Sequence, residues 1–184
     1  MRKCAINAVV LLLSVIFTAT SHCRAQNSQP TKYQIESAFI YNFARFVEWP
    51  PQAFSDASSP MMIGILGKNK FGTDLAQTIS GKMVGGHPLQ VKECSSLAEA
   101  TNCQILFISD SEKSRLSKII SGLNGASILT VSETDDFIAA GGMIDLRIVD
   151  DKMRFDINNS AAKSASLSIS SKLLSLAVRV WGGR

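Results

Sequence analysis

Histidine is scarce in this chain of 184 residues, which has His22 and His87 and no third. His22 falls in an N-terminal segment with the layout of a cleavable signal, so His87 alone would remain in the mature chain. That scarcity excludes a multi-histidine metal site, and Cys94, Cys103 and His87 would lack a fourth ligand for structural zinc. A Ser-His-Asp triad is disfavoured as well, because His87 lies in a glycine-rich turn and no G-x-S-x-G motif is present. Nothing in these residues demands catalysis, and we expect no metal and no cofactor.

Long apolar runs are also absent, since no run reaches the roughly 20 residues of a membrane-spanning helix. An almost uncharged stretch at 5–20 follows Arg2 and Lys3 and precedes the small residue Ala25. This is the layout of a signal peptide. We predict cleavage after Ala25 and export to the periplasm, which leaves a chain that does not itself span a membrane. A retained anchor and a lipoprotein attached through Cys23 are the alternatives.

An excess of positive charge is missing from the mature chain. The segment 1–25 contains three of the 19 basic residues and no acid, so 16 basic residues face 15 acidic ones after cleavage. No basic stripe interleaved with aromatic residues remains to bind phosphates, and nucleic-acid binding is therefore not expected. The remaining length suits one domain. We predict a disordered leader at 26–32 and a single domain at 33–184.

Cysteine is sparse, because Cys4 and Cys23 fall in the predicted signal peptide and only Cys94 and Cys103 remain. A lone pair in an oxidising compartment favours a disulfide. This bridge would close a loop of about ten residues and stabilise the fold by about 2–3 kcal/mol. Two separate thiols are the alternative, since one cysteine ends a predicted strand and the other begins the next.

The segment 33–48 has the period of an amphipathic helix with a wide apolar face. The apolar positions are Ile35, Ala38, Phe39, Ile40, Phe43, Phe46 and Val47. Pro50 and Pro51 predict that the helix ends at about Trp49. Asn42 falls inside the apolar face, where we interpret it as a hydrogen-bonded core residue, with ligand binding as the alternative.

Two aromatic residues, Trp49 and Phe54, lie around this proline pair, where side chains readily stay exposed. Packing against the core is the structural interpretation of both. Any part of these two side chains that stays exposed would suit a protein contact, because aromatic residues dominate interface energetics. We name Trp49 and Phe54 as candidate residues of a partner interface.

The remaining segments alternate between buried strands and helices. Strands are predicted at Met61–Leu66, 89–91, 104–108 and 126–131, and helices at 70–79, Leu97–Ala100, 112–123 and 173–180. The segment 144–157 alternates apolar and charged residues around Asp150 and Asp151, which predicts a β-hairpin. We predict an α/β fold of three layers: a mixed, mostly parallel sheet with an antiparallel edge hairpin and helices on both faces.

Two patterns that resemble binding sites have structural interpretations. The stretch "GILGKNKFG" lacks the spacing of a phosphate-binding loop, so its glycines are assigned to a turn. Glu133, Asp135 and Asp136 form an acidic cluster after Ser132. Because Asp135 lies three residues after Ser132, we interpret Ser132 as a helix N-cap and the acids as first-turn residues.

Six stretches occur in the same order as in a known family: "AFIYNFARFVEWP", "IGILGKNKFG", "CQILFIS", "ILTVSETDDFIAAGGMI", "RFDIN" and "SSKLLSLA". On these motifs the chain resembles the YfiR-like family of periplasmic proteins over about residues 33 to 178. Several motifs in order are far more specific than any one of them.

This resemblance implies an α/β domain without enzymatic activity. It implies that the protein binds the periplasmic domain of an inner-membrane diguanylate cyclase and represses it, which lowers cyclic di-GMP and biofilm formation. Cysteine pairs in the family are associated with redox stability or sensing, for which only Cys94 and Cys103 are available. A homodimer is compatible with this role.

Two other functions stay open on the residues alone. One is a periplasmic small-molecule sensor that uses the cleft at the carboxyl ends of the parallel strands. The other is a structural protein of the cell envelope. An adjacent gene for a membrane cyclase would favour the regulator, and one for a transporter or sensor kinase would favour the sensor.

Overall fold

A central sheet with helices on both faces organises the protein. The computed structural model describes residues 29–183, so the predicted signal peptide lies outside the described residues. The helices are α1 (Lys32–Phe46), α2 (Asp74–Ile79), α3 (Leu97–Ala100), α4 (Leu116–Gly122), α5 (Asn159–Ser164) and α6 (Ser171–Leu176). The strands are β1 (Val47–Glu48), β2 (Met61–Leu66), β3 (Met83–Val84), β4 (His87–Cys94), β5 (Ile105–Ile108), β6 (Leu129–Ser132), β7 (Ile144–Val149), β8 (Lys152–Asn158), β9 (Ser168–Ile169) and β10 (Val180–Trp181).

The described strands of the main sheet lie in the order β10-β8-β7-β6-β5-β2-β4-β3. Strands β4, β2, β5, β6 and β7 are parallel, and β7 and β8 form the predicted antiparallel hairpin. The mixed, mostly parallel α/β sheet is confirmed. One detail differs, because β10 pairs in parallel outside β8 and the hairpin is therefore not at the edge.

Side chains of the buried strands alternate between two apolar cores, one on each face of the sheet. The larger core receives Ile63, Ile105 and Leu129 and is covered by α1, α2 and α6. The smaller core receives Leu66, Leu106 and Ile108 and is covered by α3 and α4. The continuous apolar runs in β2 and β5 reflect burial on both faces.

Helix α1 is fixed at both ends by backbone hydrogen bonds. Thr31 and Gln34 form a reciprocal capping box at its start. The helix ends at Phe46, before the predicted end near Trp49, because Val47–Glu48 pairs with Ser168–Ile169 as strands β1 and β9. Ser170 N–H also donates to the Phe46 carbonyl. Tertiary pairing, rather than the prolines, ends the helix.

Several predicted boundaries shift for local reasons. Helix α2 begins only at Asp74, because Asn69 accepts a hydrogen bond from Phe71 N–H and closes a turn. The predicted helix at 112–123 divides into a 3-10 helix, Asp110–Arg115, followed by α4. Strand β4 runs over His87–Cys94, which is longer than the predicted 89–91.

The N-cap interpretation of Ser132 is wrong. Ser132 ends strand β6 and is buried, and turns rather than a helix follow it. Its hydroxyl accepts from Thr134 N–H at 3.1 Å and donates to the Ile108 carbonyl at 2.7 Å. The local sequence that resembles a helix cap therefore forms a turn in the connection between two strands.

Candidate functional site

The segment after α1 lies at the amino ends of the parallel strands. Trp49 is half-buried, and its indole Nε1 donates to the Gln104 carbonyl at 3.0 Å. The Gln104 side chain is buried; it accepts from Met62 N–H at 2.7 Å and donates to the Ala53 carbonyl. Gln104 thus holds this segment against β2 and β5, a role that sequence reasoning missed.

Phe54 packs face to face on the His87 imidazole. The ring centroids are 3.8 Å apart and the planes differ by 9°. His87 Nδ1 lies 2.7 Å from the Ser59 carbonyl, which requires the hydrogen to be on Nδ1. Trp49, Phe54 and His87 line one open cavity of about 470 Å³ with Pro51. We call these four residues the aromatic surface.

The structure therefore brings the two predicted interface residues together, each half-exposed and each fixed by a polar or stacking contact. Trp49 is the more structural of the two, because it carries the hydrogen bond to Gln104. Binding of a partner at Trp49 and Phe54 stays a prediction. Larger apolar exposures occur elsewhere in the described residues, at Met83, Ile148, Val149, Leu176, Val178 and Trp181.

Asn42 is hydrogen-bonded within its own helix and is not fully buried. It is half-buried, and its amide Nδ2 donates to the Ala38 carbonyl of the preceding turn at 2.9 Å. His87 begins strand β4 rather than lying in a free turn. The turn interpretation of the glycines at 64–72 is correct for Gly67, which turns the chain after β2 with φ of 90°, and wrong for Gly64, which lies inside β2.

Cys94 and Cys103 are both buried and are both free thiols in this structure. They meet over Gly64 of β2, where an added Cβ would lie 2.8 Å from Cys103 Sγ and 3.3 Å from Cys94 Sγ. Glycine at this position leaves the space that the two sulfurs fill. The two cysteines are thus close neighbours, as pairing requires, while the disulfide itself stays a prediction.

The environment of these thiols makes them unreactive when reduced. Burial raises the pKa of Cys103 to about 12, and the neighbouring Cys94 adds to the shift. Burial also raises the pKa of Cys94, against an opposing hydrogen bond from Cys103. Because the thiolate is the reactive form, both side chains would react slowly in the folded protein.

A second polar site lies at the carboxyl ends of the parallel strands. Lys70 follows β2, Asp110 follows β5 and Glu133 follows β6, while Lys32 and Glu36 come from the first turns of α1. The five side chains alternate in charge in the order Glu36, Lys32, Glu133, Lys70, Asp110. We call this group the charge chain.

The two ends of the charge chain differ in exposure. The Asp110 side chain is 48% exposed and lies 2.6 Å from Lys70 Nζ. Glu36 is 0% exposed, and neither of its carboxylate oxygens has a hydrogen-bond partner. Its nearest positive group is Lys32 Nζ, 3.5 Å from Oε1. Burial raises the pKa of Glu36 to about 7, the charge of Glu133 adds to this effect, and Lys32 opposes it.

Sequence reasoning missed the charge chain for two reasons. Helix capping is a sufficient explanation for the acids after Ser132, and Glu133 is one of them. The apolar face of the first helix is defined by its apolar residues, so Glu36 is not counted on it, although it precedes Ile40 by four residues and Phe43 by seven. That spacing puts Glu36 on the apolar stripe of α1, and a lone acid on such a stripe was the available signal.

The motifs, the sheet and the helix positions together define the class of protein. A family model described as YfiR/HmsC-like matches residues 33–178. The chain belongs to this family of regulators in cyclic di-GMP signalling, and the resemblance stated from the motifs is confirmed. A search of curated proteins finds no match.

Two solved structures have a similar fold. A conserved domain protein from Vibrio cholerae O1 biovar El Tor has a TM-score of 0.55 and 12% identity, with 83% of this chain and 61% of that chain covered. The ABC domain in complex with L-Trp from Streptococcus pneumonia has a TM-score of 0.50 and 11% identity, with 80% and 60% covered. This chain therefore spans about three fifths of each, and at these identities the similarity concerns the fold alone.

Between residues 29 and 183, no helix combines the length and the apolar character needed to cross a bilayer.

Proposed function

We propose that this protein is a periplasmic regulator that binds the periplasmic domain of an inner-membrane diguanylate cyclase and represses it. Repression lowers cyclic di-GMP and, with it, biofilm formation. The observation that carries the proposal is the family match over residues 33–178, which includes nearly all of the described domain. The mature protein would act by protein contact, without a catalytic step of its own.

The aromatic surface is the part of the molecule that we assign to this contact. Phe54 presents an aromatic ring that is held in place by His87 rather than free to rotate, so little conformational entropy is lost when a partner covers it. Trp49 and Pro51 extend the same cavity. Rigid, half-exposed aromatic side chains are typical anchors of protein interfaces.

Binding of purified protein to the cyclase periplasmic domain tests the assignment. We expect Phe54→Asp to weaken binding by about tenfold or more, which is the usual cost of removing an interface anchor. Circular dichroism should show an intact fold, because Phe54 is half-exposed. Trp49→Phe is harder to interpret, because it also removes the hydrogen bond from the Trp49 indole to the Gln104 carbonyl.

Val149→Asp is the matched control. Val149 is an exposed apolar residue at the carboxyl end of β7, away from the amino ends where Phe54 lies. If Val149→Asp weakens binding and Phe54→Asp does not, the contact is at the carboxyl ends and our assignment of the aromatic surface is wrong. If wild-type protein does not bind any cyclase domain encoded beside it, the proposed function itself fails.

A further inference from the structure

When Glu36 is ionised, the inner end of the charge chain carries an unneutralised negative charge. Lys32 and Lys70 supply two positive charges, whereas Glu36, Glu133 and Asp110 supply three negative ones. Both lysines contact Glu133, so that carboxylate is well paired. The excess charge therefore falls on Glu36, which is buried and has no hydrogen-bond partner on either oxygen. An unsatisfied buried carboxylate is costly and calls for a partner.

A cleft adjoins this carboxylate. It has a volume of about 210 Å³ and is lined by Glu36, Glu133, Lys32 and Arg147 on its polar side. Its other wall is the apolar face of the β7–β8 hairpin: Leu146, Ile148 and Met153. Since one water occupies about 30 Å³, the cleft has room for several waters or a small organic molecule.

The positive groups of the cleft are not equivalent. Arg147 forms an ion pair with Asp156, whose side chain is 2% exposed. The positive charge of Arg147 is therefore already neutralised. The Lys32 side chain is 39% exposed and reaches Glu133 from the first turn of α1. Because the Lys32 side chain is partly exposed, its ammonium can move into solvent when another ammonium replaces it beside the two carboxylates.

We propose that this cleft binds a small primary alkylammonium ion, with its ammonium group between Glu36 and Glu133 and its alkyl chain against the hairpin. The bound ammonium would satisfy the carboxylate that Lys32 contacts only at 3.5 Å. Leu146, Ile148 and Met153 would cover the alkyl chain. This site is separate from the aromatic surface, and it does not depend on the proposed regulatory function.

The chemistry of the cleft favours an ammonium over other ions. An anion would be repelled by the excess negative charge. A Ca²⁺ or Mg²⁺ ion prefers six or more oxygen ligands, whereas the two carboxylates of the cleft, Glu36 and Glu133, supply at most four. An ammonium group needs only two or three acceptors, and an alkyl chain matches the apolar wall.

Titration with n-butylammonium chloride, followed by NMR or calorimetry at pH 8, tests this proposal. Lys32→Ala removes the chain's own competing ammonium, so we expect it to bind butylammonium more tightly than wild-type protein does. Glu36→Gln removes the charge and should weaken binding by about 10- to 100-fold, the value of a hydrogen bond to a buried charged group. Butanol, which has the same alkyl chain without the charge, should bind much more weakly.

Glu48→Gln is the matched control, because Glu48 is exposed and lies outside the cleft. It should bind butylammonium as wild-type protein does. Equal binding by Glu36→Gln and wild-type protein would overturn the proposal, and so would butylammonium binding no stronger than butanol binding in Lys32→Ala. In that second case the proton alone would be the partner of Glu36.

Discussion

Glu36 shows how one residue can conflict with the helix that carries it. It lies on the buried stripe of α1 beside Ile40 and Phe43, with no hydrogen bond to its carboxylate. The conflict is greatest when the carboxylate is ionised. Because local rules of helix formation favour an apolar residue there, the departure points to a functional or electrostatic role.

The pH dependence of stability should reveal this residue. The folded-state pKa of Glu36 is about 7, above its ordinary value of 4.5, so the folded protein holds this proton more tightly than the unfolded chain does. The stability that it contributes is full below pH 4.5 and is lost as the pH rises through about 7. The glutamine of Glu36→Gln does not ionise, so this loss of stability does not occur in the variant. At pH 8 we expect it to be more stable than wild-type protein by about 1–3 kcal/mol in urea denaturation.

A comparison at acid pH supplies the control. At pH 4 wild-type Glu36 is protonated, and the difference between the two proteins should nearly vanish. Asp145, whose burial raises its pKa to about 6, titrates in the same window but is present in both proteins, so its effect cancels. A stability difference that is the same at pH 4 and pH 8 would contradict the assigned burial of Glu36.

The cysteine pair gives a second prediction at the residue scale. We expect Cys94 and Cys103 to be joined in protein isolated from its source without reductant, because they are neighbours over Gly64 and the predicted compartment is oxidising. Thiol labelling after denaturation should then find no free thiol before reduction and two afterwards. Reduced, folded protein should label slowly because both thiol pKa values are raised. Two thiols labelled without reductant would exclude the bridge.

At the scale of elements, strand β2 depends on a glycine. Gly64→Ala would place a Cβ 2.8 Å from Cys103 Sγ, which is too close for real contacts. We expect this variant to lose about 1–3 kcal/mol of stability by overpacking. Cys103→Ala removes the sulfur, so Gly64→Ala should cost less stability in the Cys103→Ala background than in wild-type protein. If the stability losses of the two single variants simply add in the double variant, the sulfur is not the obstacle.

The elements also show what the sequence can and cannot predict. Strand β2 and helix α3 occur where the apolar pattern places them, and the β7–β8 hairpin follows from its alternation. Each of these elements is marked by the residues of its own segment. Strands β1, β9 and β10 have two residues each, which is too short for any period, and they form only because a distant segment offers hydrogen bonds.

The candidate sites divide in the same way. The proximity of Cys94 to Cys103 and of Trp49 to Phe54 could be predicted, because the residues of each pair lie close in sequence. The charge chain could not, because Lys32 and Glu133 are brought together only when α1 packs against the end of β6. A cleft at the carboxyl ends enters the sequence analysis only through the alternative of a small-molecule sensor, from the parallel topology and without any of its residues.

At the scale of the whole molecule, the sites lie at opposite ends of the parallel strands. The aromatic surface is at the amino ends, beside Gln104, and the charge chain is at the carboxyl ends, after Ser109 and Ser132. Helix α1 spans between them, with Glu36 in its second turn and Phe46 before the aromatic segment. One helix therefore connects the proposed ligand site with the proposed partner surface.

Genetic epistasis tests the central claim, repression of a membrane cyclase, most directly. Cyclic di-GMP should be measured in the parent strain, in a deletion of this gene, in a deletion of the partner cyclase gene and in the double deletion. We predict that the single deletion raises cyclic di-GMP and that the double deletion matches the cyclase deletion. An unchanged cyclic di-GMP level in the single deletion, or a rise that persists without the cyclase, would contradict the account.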